Sequence, residues 1–238
     1  MSSASIADTG RETLETIEAK LGRYNTWMFE QIRPAVGKRV LEIGSGIGNM
    51  SAFMTGAERL ALSDVDPRHL DDLARKFGDR PGVTISNWDL GQDPPEPIAK
   101  ETFDTIVCLN VLEHIEDDGQ ALRRMHARLA PGGHLALLVP AHGWLYNDLD
   151  RGVGHFRRYA RRPLVALLEQ TGFAVDTCFH FNMVGAIGWL GSGTILRRKT
   201  LGGAELGLFD RLVPMLRLES RLPRPFGISL IAVARRHP

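Results

Sequence analysis

Residues 40–49 read Val40-Leu41-Glu42-Ile43-Gly44-Ser45-Gly46-Ile47-Gly48-Asn49, and the reading of that stretch decides the fold. Lys38 to Ile43 has the length and apolarity of a buried strand, and a helix is expected to begin within Asn49 to Thr55. Glycines at a strand-to-helix turn admit positive φ angles and let a ligand approach the backbone closely. A pyrophosphate-binding loop, G-x-G-x-x-G, needs glycine at position 49, where this chain has Asn49. The pattern here is E-x-G-x-G-x-G, led by Glu42. A carboxylate at that place is a poor neighbour for pyrophosphate and a good one for an ammonium group.

Outward from the loop the hydrophobic period alternates. Arg11 to Arg33 carries Leu14, Ile17, Leu21, Tyr24, Met28 and Ile32 at helical spacing, with Pro34 at its end. After the loop come a strand over Arg59 to Ser63, a helix over Pro67 to Phe77 and a strand over Gly82 to Ser86. FDTIVCLNV is the next strand, Asp117 to Leu129 a helix, and the turn Pro131-Gly132-Gly133 leads into the strand HLALLVP. Pro163 and Gly172 bracket a helix before the strand AVDTCFHF, and GISLIAVA, Gly227 to Ala234, is the last strand. Strands alternating with helices predict an α/β, doubly wound parallel sheet.

The 238 residues suit a single domain over 1–238, with a helical cap at 11–37 and an insertion or lid at 183–225. A composition of 43% hydrophobic and 24% charged residues excludes a coiled coil and wholesale disorder. The net charge of +1 provides no global field for nucleic acid or an anionic membrane, so a nucleic-acid partner is not expected. Cys108 and Cys178 sit in apolar runs and read as small hydrophobes, and no His/Asp cluster at ligand spacing argues for a metal. MSSASIADTG lacks the regions of a signal peptide, so the expected compartment is the cytoplasm. Monomer and homodimer stay open, and so does a membrane contact through the apolar insertion, which nothing else supports.

Polar groups gather at the carboxyl ends of successive strands, the rim where open α/β sheets bind ligands. Asp64, twenty residues after Gly44, ends the second strand with Val65 beside it. A carboxylate there can accept both hydroxyls of a ribose, whereas Asp66, just before Pro67, is the better helix N-cap. Asn87, Trp88, Asp89 and Leu90 follow the third strand, and Asn110-Val111-Leu112-Glu113-His114-Ile115 ends the fourth.

In VLEIGSGIGN, ALSDVD, NWDL and FDTIVCLNVLEHI followed by LAPGGHLALLVP, taken in order, the chain resembles the class I S-adenosylmethionine-dependent methyltransferases. The resemblance covers roughly residues 38–182 and the last strand, and RYNTWMFEQIRPAVGKRV looks like bacterial members with an aromatic helix before the first strand. It implies a Rossmann-like, seven-stranded sheet with an antiparallel last strand, S-adenosylmethionine as co-substrate, and methyl transfer on O, N or C, while the Trp, Leu and Phe of the expected lid point to a small, partly apolar metabolite as acceptor. It further implies Glu42, Gly44 and Gly46 by the methionine part, Asp64 and Val65 at the ribose, and Asp89 with Trp88 or Leu90 at the adenine. Asn110 falls beside the sulfonium, and Tyr24 or Trp27 over the cofactor carboxylate or the acceptor. A nicotinamide-dependent oxidoreductase and a non-catalytic sensor or membrane-associated scaffold stand as alternatives.

Three histidines are candidate proton acceptors, His114, His142 and His155, and His114 reads equally as a packing residue at a helix start. The loop over 142–162 offers Tyr146, His155, Arg157, Arg158 and Tyr159 to an acceptor. Its arginines can bind an anion or pair with Asp148 and Asp150. Asn182 and Trp189 open the segment from Asn182 to Phe226, which reads as core or as a lid over the acceptor.

Overall fold

The structure is a computed structural model and describes residues 21–189, 203–221 and 223–237. The first ten residues of the expected N-terminal helix, and the run TILRRKTL of the insertion, lie outside the described residues.

A seven-stranded sheet of order β3-β2-β1-β4-β5-β7-β6 runs through the molecule. Its strands are β1 (Arg39–Ile43), β2 (Arg59–Asp64), β3 (Val83–Asn87), β4 (Phe103–Leu109), β5 (Leu129–Pro140), β6 (Phe173–Phe181) and β7 (Ser229–Arg236). β1 to β5 pair in parallel where they are neighbours. β7 lies antiparallel between β5 and β6, so β6 runs the same way as β5. The expected Rossmann-like sheet with an antiparallel last strand is therefore present.

Its helices are α1 (Gly22–Ile32), α2 (Pro67–Phe77), the short α3 (Glu96–Ala99), α4 (Asp118–Arg128), α5 (Asp148–Gly152), α6 (Arg161–Gln170), α7 (Met183–Trp189) and α8 (Gly203–Leu216). Side chains alternate between faces along each buried strand. Val40, Leu62, Val107 and Ile231 face a cluster that includes Trp27 and Ile32 of α1, Leu73 of α2 and Val213 of α8. Leu41, Ala61, Ile106 and Ala232 face the opposite cluster, built on Leu122 and Met125 of α4 and Leu164 and Leu168 of α6. Cys108 and Cys178 are buried and free, as their apolar settings imply.

Two expectations change. The helix expected over Asn49–Thr55 is a 3-10 turn, Ser51–Met54, because the seven residues between Gly48 and Gly56 leave room for little more than one tight turn. The Pro131–Gly133 turn lies within β5, where the register against β4 shifts between Phe103 and Thr105. Gly133 makes that shift possible: an added Cβ would lie 2.9–3.1 Å from the carbonyl oxygens of Ala130, Phe103 and Asp104.

The insertion leaves and returns at the carboxyl rim, since Ile228 N–H donates to the Asn182 carbonyl at 3.0 Å. α8 packs on α1: the Tyr24 amide donates to Asp210 Oδ1 at 2.9 Å, and Arg217 pairs with Glu30. Trp27 is 1% exposed at the centre of this contact, its ring centroid 4.4 Å from that of Phe181. Trp27→Ala is expected to cost about 3 to 5 kcal/mol, read as a lower urea midpoint; a loss within experimental error would place the α1–α8 contact outside the cooperative core.

Candidate active site

The glycine loop is held by both of its neighbours. Gly44, Gly46 and Gly48 have φ of 70°, 54° and 90°, which an L side chain adopts only with strain. Ser45 N–H donates to the Ser63 carbonyl at 2.9 Å, and Lys76 Nζ of α2 donates to the Ile47 carbonyl at 2.9 Å. Gly44 is exposed, and a Cβ on it would overlap Val111 Cγ2, so the loop lies directly against the end of β4.

Three acidic residues stand at the ends of β1, β2 and β3 on this rim. Glu42 is buried and takes a hydrogen bond from the Ser51 hydroxyl; burial, with Asp64 as a minor contributor, pushes its carboxyl up to about 7. No cation contacts it among the described residues, so an ammonium group would find there a carboxylate ready to ionise. Asp64 accepts from Gly46 N–H at 2.7 Å, Asp66 N–H at 2.9 Å and His69 Nδ1 at 3.1 Å. Two carboxylate oxygens offer about four acceptor sites, so one remains for a ligand hydroxyl. Asp89 is exposed, between buried Trp88 and Leu90, and accepts from Gly91 N–H at 2.8 Å. Val65 is 60% exposed on the same rim, and Asn87 Nδ2 donates to its carbonyl at 3.1 Å. A loop with three glycines, three carboxylates and an exposed apolar residue fit an aminoacyl nucleoside. Asp66 caps α2 by accepting from Arg68 N–H at 2.9 Å, which leaves Asp64 for the ligand.

Across the rim, Asn110, His142 and Asn182 are the described non-glycine residues with positive φ, at 55°, 62° and 63°. They follow β4, β5 and β6 within one or two residues. Such strain persists where the surroundings hold it, and it clusters at binding sites. His142 stacks on His180 at 4.8 Å and lies 5.5 Å from the exposed Trp144 ring. Desolvation, His180 and Arg158 lower its pKa, and the Gly227 backbone beside it opposes them. Its Nε2 is buried without a partner.

A second group joins the end of β4 to the loop after α5. Asp150 is fully buried, and its Oδ1 accepts from Arg158 Nε and His155 Nδ1, each at 2.8 Å. Its Oδ2 accepts from Asn147 N–H at 3.0 Å. These donors outweigh the desolvation that opposes them, so its pKa is lowered. Glu113 is also fully buried, and desolvation pushes it up to about 8. Desolvation and the neighbouring His155 lower His114 to about 4.

Other residues expected at the site face inward. Trp27 is core, and Tyr24 packs on Phe181 and Phe209. Arg158 holds Asp150 and the Ala141 carbonyl, at 3.2 Å. Tyr159 OH donates to Asp118 Oδ2 at 3.0 Å, and Tyr146 OH to the His155 carbonyl at 2.8 Å. Asn182 Oδ1 accepts from Gly185 N–H at 2.7 Å. Trp189 ends α7, and its side chain lies outside the described residues. Sequence reading passed over Glu113, which stood in the quoted NVLEHI, and Trp144 and His180, which carried no spacing signal.

A recess of about 310 Å³ lies at the opposite, amino-terminal edge of the sheet, between Pro34–Gly37 and Ala130–His134, away from all of these groups. Among the described residues no helix is long and apolar enough to cross a membrane.

Residues 17–177 match the model of a methyltransferase domain family. A ubiquinone biosynthesis O-methyltransferase of Azotobacter vinelandii is 32% identical over 167 residues, which are 63% of this chain and 69% of that protein. The chain covers 63–69% of the length of this and three further relatives of the same name. Among solved structures, an S-adenosylmethionine-dependent methyltransferase from Mesorhizobium loti superposes with a TM-score of 0.61 at 19% identity, covering 88% of this chain and 98% of that one. The N-methyltransferase NodS from Bradyrhizobium japonicum WM9, in complex with S-adenosyl-L-homocysteine, gives 0.58 at 18% identity, covering 90% and 85%.

Asp150→Ala leaves Arg158 buried without its carboxylate and is expected to cost about 3 to 5 kcal/mol, measured by urea unfolding. Removing the exposed partner of Asp148, in Arg151→Ala, is expected to leave the melting temperature unchanged. Equal effects of the two would show that the buried pair does not anchor this loop.

Proposed function

Because the chain belongs to the methyltransferase domain family, whose co-substrate is S-adenosylmethionine, we propose that it methylates an oxygen of a small, partly apolar aromatic metabolite. The family match removes the nicotinamide reading raised by the glycine loop. The observation that carries the cofactor assignment is the order of groups along the rim: Glu42 beneath the loop, Asp64 ending β2, and exposed Val65 and Asp89 beyond it. An oxygen acceptor is supported by the names of the curated relatives, and its aromatic character by Trp144 beside the His142–His180 pair.

S-adenosylmethionine supplies an electrophilic methyl group whose transfer is an in-line displacement, so the protein's main tasks are alignment and exclusion of water. Glu42 holds the ammonium end, Gly44 and Gly46 admit the chain of the cofactor, and Asp64 takes a ribose hydroxyl. Asn110, after β4, stands at the reacting end. His142 is the base in this reading. Its Nε2 is buried without a partner, and a neutral imidazole that keeps its proton on Nδ1 accepts there. A hydroxyl of the acceptor would satisfy that orphaned atom and give it the proton. In this reading α8 of the insertion, held on α1, covers the acceptor.

Three measurements follow from these assignments. Asp64→Ala is expected to weaken S-adenosylmethionine binding about tenfold or more by calorimetry; unchanged affinity would move the ribose partner elsewhere. Glu42 with a pKa of about 7 is mostly protonated at pH 6, and a bound cation favours its ionised form. At pH 6, binding should therefore release close to one proton from the wild type and none from Glu42→Gln, read by calorimetry in two buffers of different ionisation enthalpy. No difference between the two would detach Glu42 from the ammonium. Finally, methyl-labelled cofactor incubated with a cell extract should put label into small apolar products, and His142→Gln should slow that transfer about 100-fold or more with cofactor affinity retained. Label found only in protein or RNA would overturn the acceptor assignment.

A further inference from the structure

Glu113, His114 and His155 bring unpaired ligand atoms into one shared space. Glu113 and His114 end a 3-10 turn after β4, Leu112–His114, and His155 is brought beside them by the Phe156 amide, which donates to the Glu113 carbonyl at 2.8 Å. One ligand atom from each of the three lies within 4.8 Å of the others. The Glu113 side chain is completely buried, yet neither carboxylate oxygen has a hydrogen-bond partner. The closest approach of an imidazole is His155 Nε2, 3.8 Å from Oε1, too long for a hydrogen bond. A buried carboxylate left this way is costly. We propose that Glu113, His114 and His155 bind a divalent transition-metal ion.

The surroundings orient each ligand. His155 donates Nδ1–H to Asp150, so its Nε2 lone pair is directed to the side of Glu113. A carboxylate behind a ligating histidine, setting its tautomer and ring angle, is the usual outer support of such sites. Asp150 is in turn fixed by Arg158 and by the Asn147 amide. The His114 ring lies beside Gly154 and meets the His155 ring edge-to-face at 4.7 Å. Two imidazoles and one carboxylate suit zinc, iron(II), cobalt or manganese; magnesium and calcium prefer sets of oxygens alone. With ligands about 2.1 Å from the ion, neighbouring ligand atoms stand about 3 to 4 Å apart, within reach of small side-chain adjustments. His114 is exposed, which gives the ion an entry path. Three protein ligands leave coordination positions open towards the rim. In sequence the third ligand stands 41 positions beyond the second, so no ligand spacing announces the site.

The test uses the full chain, freed of metal with a chelator and dialysed, then titrated with Co²⁺ and with Zn²⁺. Calorimetry is expected to give one ion per chain, and Co²⁺ to develop visible absorption that saturates at one equivalent. Glu113→Gln and His114→Gln should each weaken binding about 10- to 100-fold, whereas His134→Gln, towards the other end of β5, should bind as the wild type does. Since His114 is exposed, its variant reports on the site even if Glu113→Gln fails to fold. Absence of binding, or equal affinity in wild type and His114→Gln, overturns the proposal. The measurement needs neither co-substrate nor acceptor, so its outcome is separate from that of the methyl-transfer assay.

Discussion

The hydrogen bond from Gly46 N–H to Asp64 Oδ2, 2.7 Å long, joins the loop after β1 to the end of β2, and the geometry of the cofactor side depends on it. The parallel register sets Ile43 beside Ser63, so the loop and the carboxylate leave the sheet at the same level. Positive φ at Gly44 and Gly46 turns the amide towards Asp64 and keeps side chains out of the space above. The same carboxylate accepts from the first amide before α2 and from His69 within it. Loop, strand end and helix start are thereby one rigid unit, and a ligand hydroxyl meets an acceptor already aimed.

The sheet and the cofactor side were legible in the sequence because both rest on local patterns. Strand period, glycine spacing and an acid at each strand end survive in the linear order, and the parallel topology follows from their alternation. Where sequence reading misplaced structure, the cause was local punctuation overridden by pairing: Pro131-Gly132-Gly133 has the composition of a turn, yet β4 supplies a partner that carries β5 through it. The acceptor side was less legible for a different reason. Arg158 and Tyr159 look like binding groups in the chain, and only the fold shows Asp150 and Asp118 occupying them. Conversely, Glu113 and His155 are 42 positions apart and meet only when the Phe156 amide closes onto the Glu113 carbonyl.

The two halves of the rim differ in physical character. On the side of β1 to β3, polar groups are paired with backbone amides and held rigid. On the side of β4 to β6, the strand ends carry Asn and His in left-handed conformations, and both Glu113 carboxylate oxygens and His142 Nε2 are buried there without a hydrogen-bond partner. Strained backbone and buried polar atoms without partners mark that side as one where binding is to be sought.

The bond between Ile228 N–H and the Asn182 carbonyl closes the insertion at its base. Because β7 returns antiparallel between β5 and β6, the chain re-enters the sheet beside the point at which it left. The entropy of closing such a loop grows only logarithmically, so doubling its length adds about 0.6 kcal/mol. Segments of different length and composition can thus be exchanged at this hinge without altering a strand register. The insertion is, in this sense, a replaceable part mounted on a fixed frame.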